Sequence, residues 1–145
     1  AWGVIAPTET QMADVLKGAQ VAAATGALDI GQGVVVCHGL VLAVEAQEGT
    51  DAMLARVAAL PLAVRGAPGA RRGVLVKRPK PIQERRIDLP TIGARTIAGA
   101  AAAGLAGVAV EANGALAVRK AEIVAEANRA GLFVYGFTRA EAGEA

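Results

Sequence analysis

Two five-residue apolar runs, Gly33-Val34-Val35-Val36-Cys37 and Leu40-Val41-Leu42-Ala43-Val44, stand on either side of His38-Gly39. Short runs rich in β-branched residues, with a two-residue gap that contains glycine, read as a β-hairpin. A tight turn between right-twisted strands needs residues that tolerate positive φ. The flanking segments carry a different period. Thr8-Glu9-Thr10-Gln11 is a helix start with Thr8 as cap, and Met12, Val15, Leu16, Ala19 and Ala22-Ala23 follow at helical spacing to a stop at Gly26. Gly49-Thr50 opens a second helix through Met53, Leu54 and Val57, with Thr50 as its expected cap, and Gly73 to Val76 is a further short strand.

The second half follows the same grammar. Thr96 to Ala103 is an alanine-rich helix closed by Gly104. Val108 to Val110 and Leu116 to Val118 read as strands joined by a hairpin at Asn113-Gly114, Ala121 to Ala130 as a helix stopped by Gly131, and Leu132 to Tyr135 as the last strand. The tail after Thr138 is expected to fray. Val34 and Val108, like Leu42 and Leu116, lie 74 residues apart, which raises an internal αββαβ duplication as a pattern hypothesis. The expected fold is therefore one α/β domain over residues 1–145, a mixed sheet with hairpins and covering helices. Gly31-Gln32-Gly33 is no dinucleotide fingerprint, because it leads into a strand where that motif needs a helix.

Composition excludes several chemistries. Cys37 is the only cysteine and His38 the only histidine, so neither an intrachain disulfide nor a multi-histidine metal site can form. A reducing compartment, the cytoplasm, is the expected location. No segment approaches the ~18 consecutive apolar residues that span a bilayer, and the uncharged stretch from Ile97 to Val110 is broken by three glycines. Aromatic residues make up only 3% and the net charge is +2, a poor endowment for binding nucleic acid. The chain opens Ala1-Trp2-Gly3, which suggests a domain cut from something longer.

The charge is concentrated. Arg65, Arg71, Arg72, Lys77, Arg78, Lys80, Arg85 and Arg86 place eight of the 15 basic residues between positions 65 and 86, with Glu84 the one acid among them. Such a run reads either as a solvated loop or as a phosphate site, since Arg forks and compact Lys charges both match phosphate oxygens. Two details favour phosphate: Val74 to Val76 is a buried-looking strand that would fix Lys77, and Pro79 and Pro81 stiffen the segment beyond it. Asp88, just after Arg86, reads equally as a helix cap or as an ionised carboxylate able to hold a divalent cation or orient a water. Glu45, Glu48, Thr50 and Asp51 form an acidic counterpart at the start of the second helix, where free amides can also hold an anion.

Glu45-Ala46-Gln47-Glu48-Gly49-Thr50-Asp51-Ala52-Met53, Gly73-Val74-Leu75-Val76-Lys77 and Arg86-Ile87-Asp88-Leu89-Pro90 are specific in combination. With Gly26 to Gln32, Ala101 to Ala112 and Ala130 to Val134 in the same order, they resemble the C-terminal domain of the LpxI-type UDP-2,3-diacylglucosamine pyrophosphatases over roughly Ala19 to Gly136. The resemblance implies hydrolysis of UDP-2,3-diacylglucosamine to UMP and 2,3-diacylglucosamine 1-phosphate (lipid X) in lipid A synthesis, with water attacking the α-phosphorus and Mg²⁺ assisting. It also implies an N-terminal domain that this chain lacks, and it is compatible with peripheral contact with the inner membrane and with a homo-oligomer. Carried onto this chain, Asp88 matches the family's essential aspartate. The chemistry of the residues then makes Asp88 the expected catalytic group, positioning Mg²⁺ or the attacking water, with Asp51 a candidate second metal ligand. Thr50, Lys77, Lys80, Gln83 and Arg86 are the substrate-binding candidates. The competing reading is a non-catalytic module for a nucleotide or sugar phosphate.

Overall fold

The computed structural model describes residues 1–79, 91–112, 116–117 and 119–144. Helix α1 (Glu9–Ala27) begins as its sequence dictates: the Thr8 hydroxyl accepts from the Gln11 amide at 3.2 Å, and the Gln11 side chain accepts from the Thr8 amide at 2.9 Å. Strands β1 (Gly33–Cys37) and β2 (Leu40–Val44) pair antiparallel. Their turn places His38 at φ 49° and Gly39 at φ 82°, positive at both positions as in a type I′ hairpin turn. The buried carboxylate of Asp14, on α1, accepts from both turn amides, His38 at 3.0 Å and Gly39 at 2.8 Å. The remaining elements are α2 (Thr50–Ala58), β3 (Val74–Lys77), β4 (Thr91–Ile92), α3 (Ala94–Ala102), β5 (Gly107–Glu111), β6 (Leu116–Ala117), α4 (Lys120–Ala130) and β7 (Phe133–Phe137).

Five strands form one mixed sheet in the order β2-β1-β3-β5-β7. β1 is antiparallel to both of its neighbours, whereas β3, β5 and β7 are mutually parallel. The carboxyl ends of β2, β3, β5 and β7 therefore share one edge with the amino end of β1. In register terms, Gly33 faces Lys77, and Lys77 faces Val110. α1 covers one face through Val15, Ala19 and Ala22. The other face carries α2, α3 and α4, packed through Met53, Leu54, Val57, Ile97, Ala100, Ile123 and Ala127. The central strands β1, β3 and β5, buried on both faces, are accordingly uninterrupted apolar runs up to their ends.

Three expectations change. The hairpin expected at Asn113-Gly114 does not form between β5 and β6: β6 lies parallel to β4, with Thr91 opposite Leu116 and Ile92 opposite Ala117. The reason is topological. Both edges of β5 are already paired, to β3 and to β7, which leaves no free edge for β6. Residues 113–115 themselves lie outside the described set. The order helix, strand, strand, helix, strand does recur, yet the two halves pair their strands differently, so the pairing gives the duplication no support. The tail does not fray either. Ala142 is buried and Glu144 grips Arg78 through two hydrogen bonds of 2.7 and 2.9 Å. Among the described residues no helix is long and apolar enough to cross a membrane.

Candidate functional site

Ligands of open α/β sheets bind outside the carboxyl ends of the strands, where the following helices begin. That edge is the most elaborate part of this molecule. A cleft of about 360 Å³ is lined by Glu48, Gly49, Thr50, Asp51, Gly93, Arg95 and Thr96, so the starts of α2 and α3 both border it. Both helices are capped by glycine, Gly49 and Gly93, and neither cap offers a side-chain acceptor to the first-turn amides. Two sets of amides and two positive dipole ends thus converge on one cleft, an arrangement suited to an anion.

Thr50 is not the cap it was expected to be. Gly49 holds that position at φ 86°, a conformation that favours glycine, and Thr50 is the first residue of the helix proper. Its hydroxyl accepts from Lys77 Nζ at 2.8 Å and donates to Glu45 Oε2 at 2.5 Å. Lys77, the last residue of β3, is buried, at 6% exposure, although it is a lysine. Burial pushes its ammonium below the ordinary lysine range, and the Glu45 and Asp51 carboxylates pull in the opposite direction. Asp51, expected as a metal ligand, is paired with Arg95 at 3.1 Å in a largely exposed contact. Among the described residues no group of three or more His, Cys, Asp or Glu side chains is placed to hold a metal ion.

Among the described residues the basic run divides in two. Arg65, Arg71 and Arg72 precede β3 and serve the fold. Arg71 donates to Ala101 O at 2.8 Å in the last turn of α3, Arg72 donates to Arg65 O and Leu62 O, and Arg65 donates to Leu60 O at 2.7 Å. Cations at carbonyl-rich helix ends and loops are satisfied there. Lys77 and Arg78 stand at the other end of the strand, but only Lys77 reaches the cleft-lining Thr50. Arg78 is buried, bonded to Ala19 O at 3.0 Å, to Glu144, and within 3.4 Å of Glu111. Burial opposes its charge, and the Glu144 and Glu111 contacts outweigh that and hold its pKa above the usual arginine value.

The site expectations at Lys80, Gln83, Arg86 and Asp88 lie outside the described residues. Of those inside, Thr50, Lys77 and Asp51 are brought to one place. Arg95 was missed: it is a lone charge at the start of an alanine-rich helix, and only its position as the second residue of α3 signals a helix-start role. A second cleft, of about 370 Å³, continues from the first between α2 and α3. Asp51 and Arg95 border both clefts, and the walls beyond them are apolar: Leu54, Ala55, Ala58, Ala98, Gly99 and Ala102.

Residues 1–135 match the family described as the LpxI C-terminal domain. A curated relative from Caulobacter vibrioides, named UDP-2,3-diacylglucosamine pyrophosphatase LpxI, is 60% identical over 134 residues, which is 92% of this chain. The same match covers 48% of the relative, so the chain spans about half the length of the protein it resembles.

Proposed function

The chain belongs to the LpxI family as its C-terminal domain, and on that premise we propose that it supplies the phosphate-gripping half of a UDP-2,3-diacylglucosamine pyrophosphatase. The reaction would split the pyrophosphate of UDP-2,3-diacylglucosamine to UMP and 2,3-diacylglucosamine 1-phosphate, with a second, N-terminal domain completing the site. The observation that carries this reading is the cleft at the carboxyl edge, where the amides of α2 and α3 meet beside the buried Lys77.

Water attack at the α-phosphorus forms the new P–O bond and breaks the bond to the bridging oxygen, which leaves with the sugar phosphate. Negative charge grows on the phosphoryl oxygens and on that bridging oxygen. Preorganised amides and a desolvated ammonium stabilise such charge better than water does, because they need no reorganisation. Thr50 contributes its amide, since its hydroxyl proton is committed to Glu45. Arg95 can turn from Asp51 to the ligand at small cost, because an exposed pair of this kind is worth at most ~1 kcal/mol. Asp88 would hold or orient the water, with Lys80, Gln83 and Arg86 contributing from the same segment. Mg²⁺ would be held by Asp88, with Asp51 as the second ligand. The ion would supply Lewis-acid charge neutralisation. The apolar cleft between α2 and α3 supports seating an acyl chain next to the phosphates. This assignment also puts the protein in lipid A synthesis, in the cytoplasm, with access to the inner membrane where a diacylated substrate resides.

The test uses the two-domain protein. Asp88→Ala should bind substrate measurably while hydrolysis falls by orders of magnitude, and near-normal turnover would remove Asp88 from the mechanism. In ¹⁸O-labelled water the label should appear on UMP; label on the sugar phosphate would place attack at the other phosphorus. Saturable binding with no turnover in the wild-type two-domain protein would favour a binding module instead. Activity that survives EDTA would remove the metal.

A further inference from the structure

We propose that Glu45 is a positioning residue for this cleft: through the Thr50 hydroxyl it fixes the Lys77 ammonium and the first turn of α2 in the arrangement presented to the phosphates. The inference rests on the reading of the cleft as a phosphate site.

The direction of the hydrogen-bond chain is forced by chemistry. An ammonium can only donate and a carboxylate can only accept, so the single proton of the hydroxyl between them must point to the carboxylate. Lys77 Nζ donates to Thr50 Oγ1 at 2.8 Å, and Thr50 donates to Glu45 Oε2 at 2.5 Å. The short second bond is charge-assisted. Three elements are tied together in this way: the end of β3, the start of α2 and the residue just after β2. Without Glu45 the hydroxyl proton would be free to rotate toward the cleft or toward solvent. Lys77 would then lose a fixed acceptor, and with it one of the two carboxylates that favour its buried charge.

Glu45 occupies a prepared seat. Its amide donates to Gly33 O at 2.8 Å, which continues the β1–β2 pairing one residue beyond the strand. A Cβ at Gly31 would stand 1.9 Å from the Glu45 carbonyl oxygen, and one at Gly33 would stand 2.8 Å from Glu45 Oε2. Any side chain at Gly31 would collide with backbone, and one at Gly33 would push the carboxylate off Thr50. The two glycines at the start of β1 thus serve a defined end: they admit Glu45 to the edge. Glu45 itself does not line the cleft. It acts through Thr50.

The experiment is steady-state kinetics of the two-domain protein with Glu45→Ala, Glu45→Gln, Thr50→Val and the Glu45→Ala/Thr50→Val double variant, on UDP-2,3-diacylglucosamine. Expected for the alanine and valine variants is a fall in kcat of about 10–100-fold, the scale of losing preorganised charge stabilisation, with KM within about threefold. The double variant should be no slower than the slower single variant, because both substitutions break one chain. Glu45→Gln, which keeps an acceptor and loses the charge, should fall between wild type and Glu45→Ala. Should Glu45→Ala unfold the protein, the Gln and Val variants carry the test. Wild-type kcat in Glu45→Ala, an effect on KM alone, or losses that multiply in the double variant would each overturn the proposal. Wild-type protein that fails to hydrolyse the substrate would overturn the reading of the reaction instead. Positioning would then be read from the affinity for inorganic pyrophosphate, which the same variants must lower by a common, non-multiplying factor.

Discussion

The two ends of β3 carry the same kind of residue and do opposite things with it. Arg71 and Arg72 stand just before the strand, and Lys77 closes it. At the amino end the nearest helix terminus is the last turn of α3, where Arg71 takes up the Ala101 carbonyl and, just beyond the helix, that of Leu105. At the carboxyl end the nearest termini are the starts of α2 and α3, which offer amides. A cation beside carbonyls becomes a clamp for the fold, whereas a cation beside amides adds to a positive field that calls for an anion. The connection rule of parallel strands decides which is which. Helices start where such strands end, so basic residues at the two ends of one strand meet opposite ends of the helix dipoles.

That comparison can be broken most directly at Lys77. Lys77→Met in the two-domain protein should cut turnover by about 100-fold or more while the melting temperature changes little, since removal of the charge also removes its burial penalty. A variant that keeps its turnover would make the carboxyl end a clamp as well. On the opposite edge, Asp14→Ala leaves the His38 and Gly39 amides without their shared carboxylate. It should cost about 2–3 kcal/mol in denaturant unfolding, with kcat of the folded fraction within about twofold. Arg71→Ala should follow the same pattern with a smaller loss, about 1–2 kcal/mol, because its site is only partly buried. A large kcat effect from either variant would erase the division between the edges.

The smallest effect is expected from the tail. Hydrogen bonds from Arg78 hold the Glu144 carboxyl below the usual glutamate range. A carboxylate whose pKa is depressed on folding adds stability above its unfolded pKa, about 4.3, and loses that contribution as pH falls through the folded value. The stability difference between wild type and Glu144→Gln should therefore be flat above about pH 5 and shrink as the solution is acidified below about pH 4. A difference that grows on acidification would contradict the pairing.

What could be read from the sequence was local. The capping box at Thr8, the His38-Gly39 turn and the Gly131 stop involve partners within four residues, and all form as expected. The Asn113-Gly114 hairpin failed because strand edges are allotted by the whole sheet, and those of β5 went to β3 and β7. The charge run between positions 65 and 86 read as one site although the strand inside it was legible, because the sequence does not show which helix ends meet the two ends of that strand. Glu45, Thr50 and Lys77 were visible as residues of the right kind. The order of protons among them was not, because it depends on a contact 27 residues apart in the chain.

The helix-start glycines bear on how this site could change under selection. The groups that would meet a phosphate in the cleft are largely main-chain amides, and no side-chain substitution can delete an amide other than replacement by proline. Tolerance should nonetheless be uneven. Gly93 caps α3 in an extended conformation, φ −152°, that any residue can adopt, and a Cβ there meets nothing within 4 Å. Gly49 has open space around it as well, but its φ of 86° strains every other residue type. Of two caps that look alike in sequence and are equally uncrowded, only Gly49 is a point of mutational fragility.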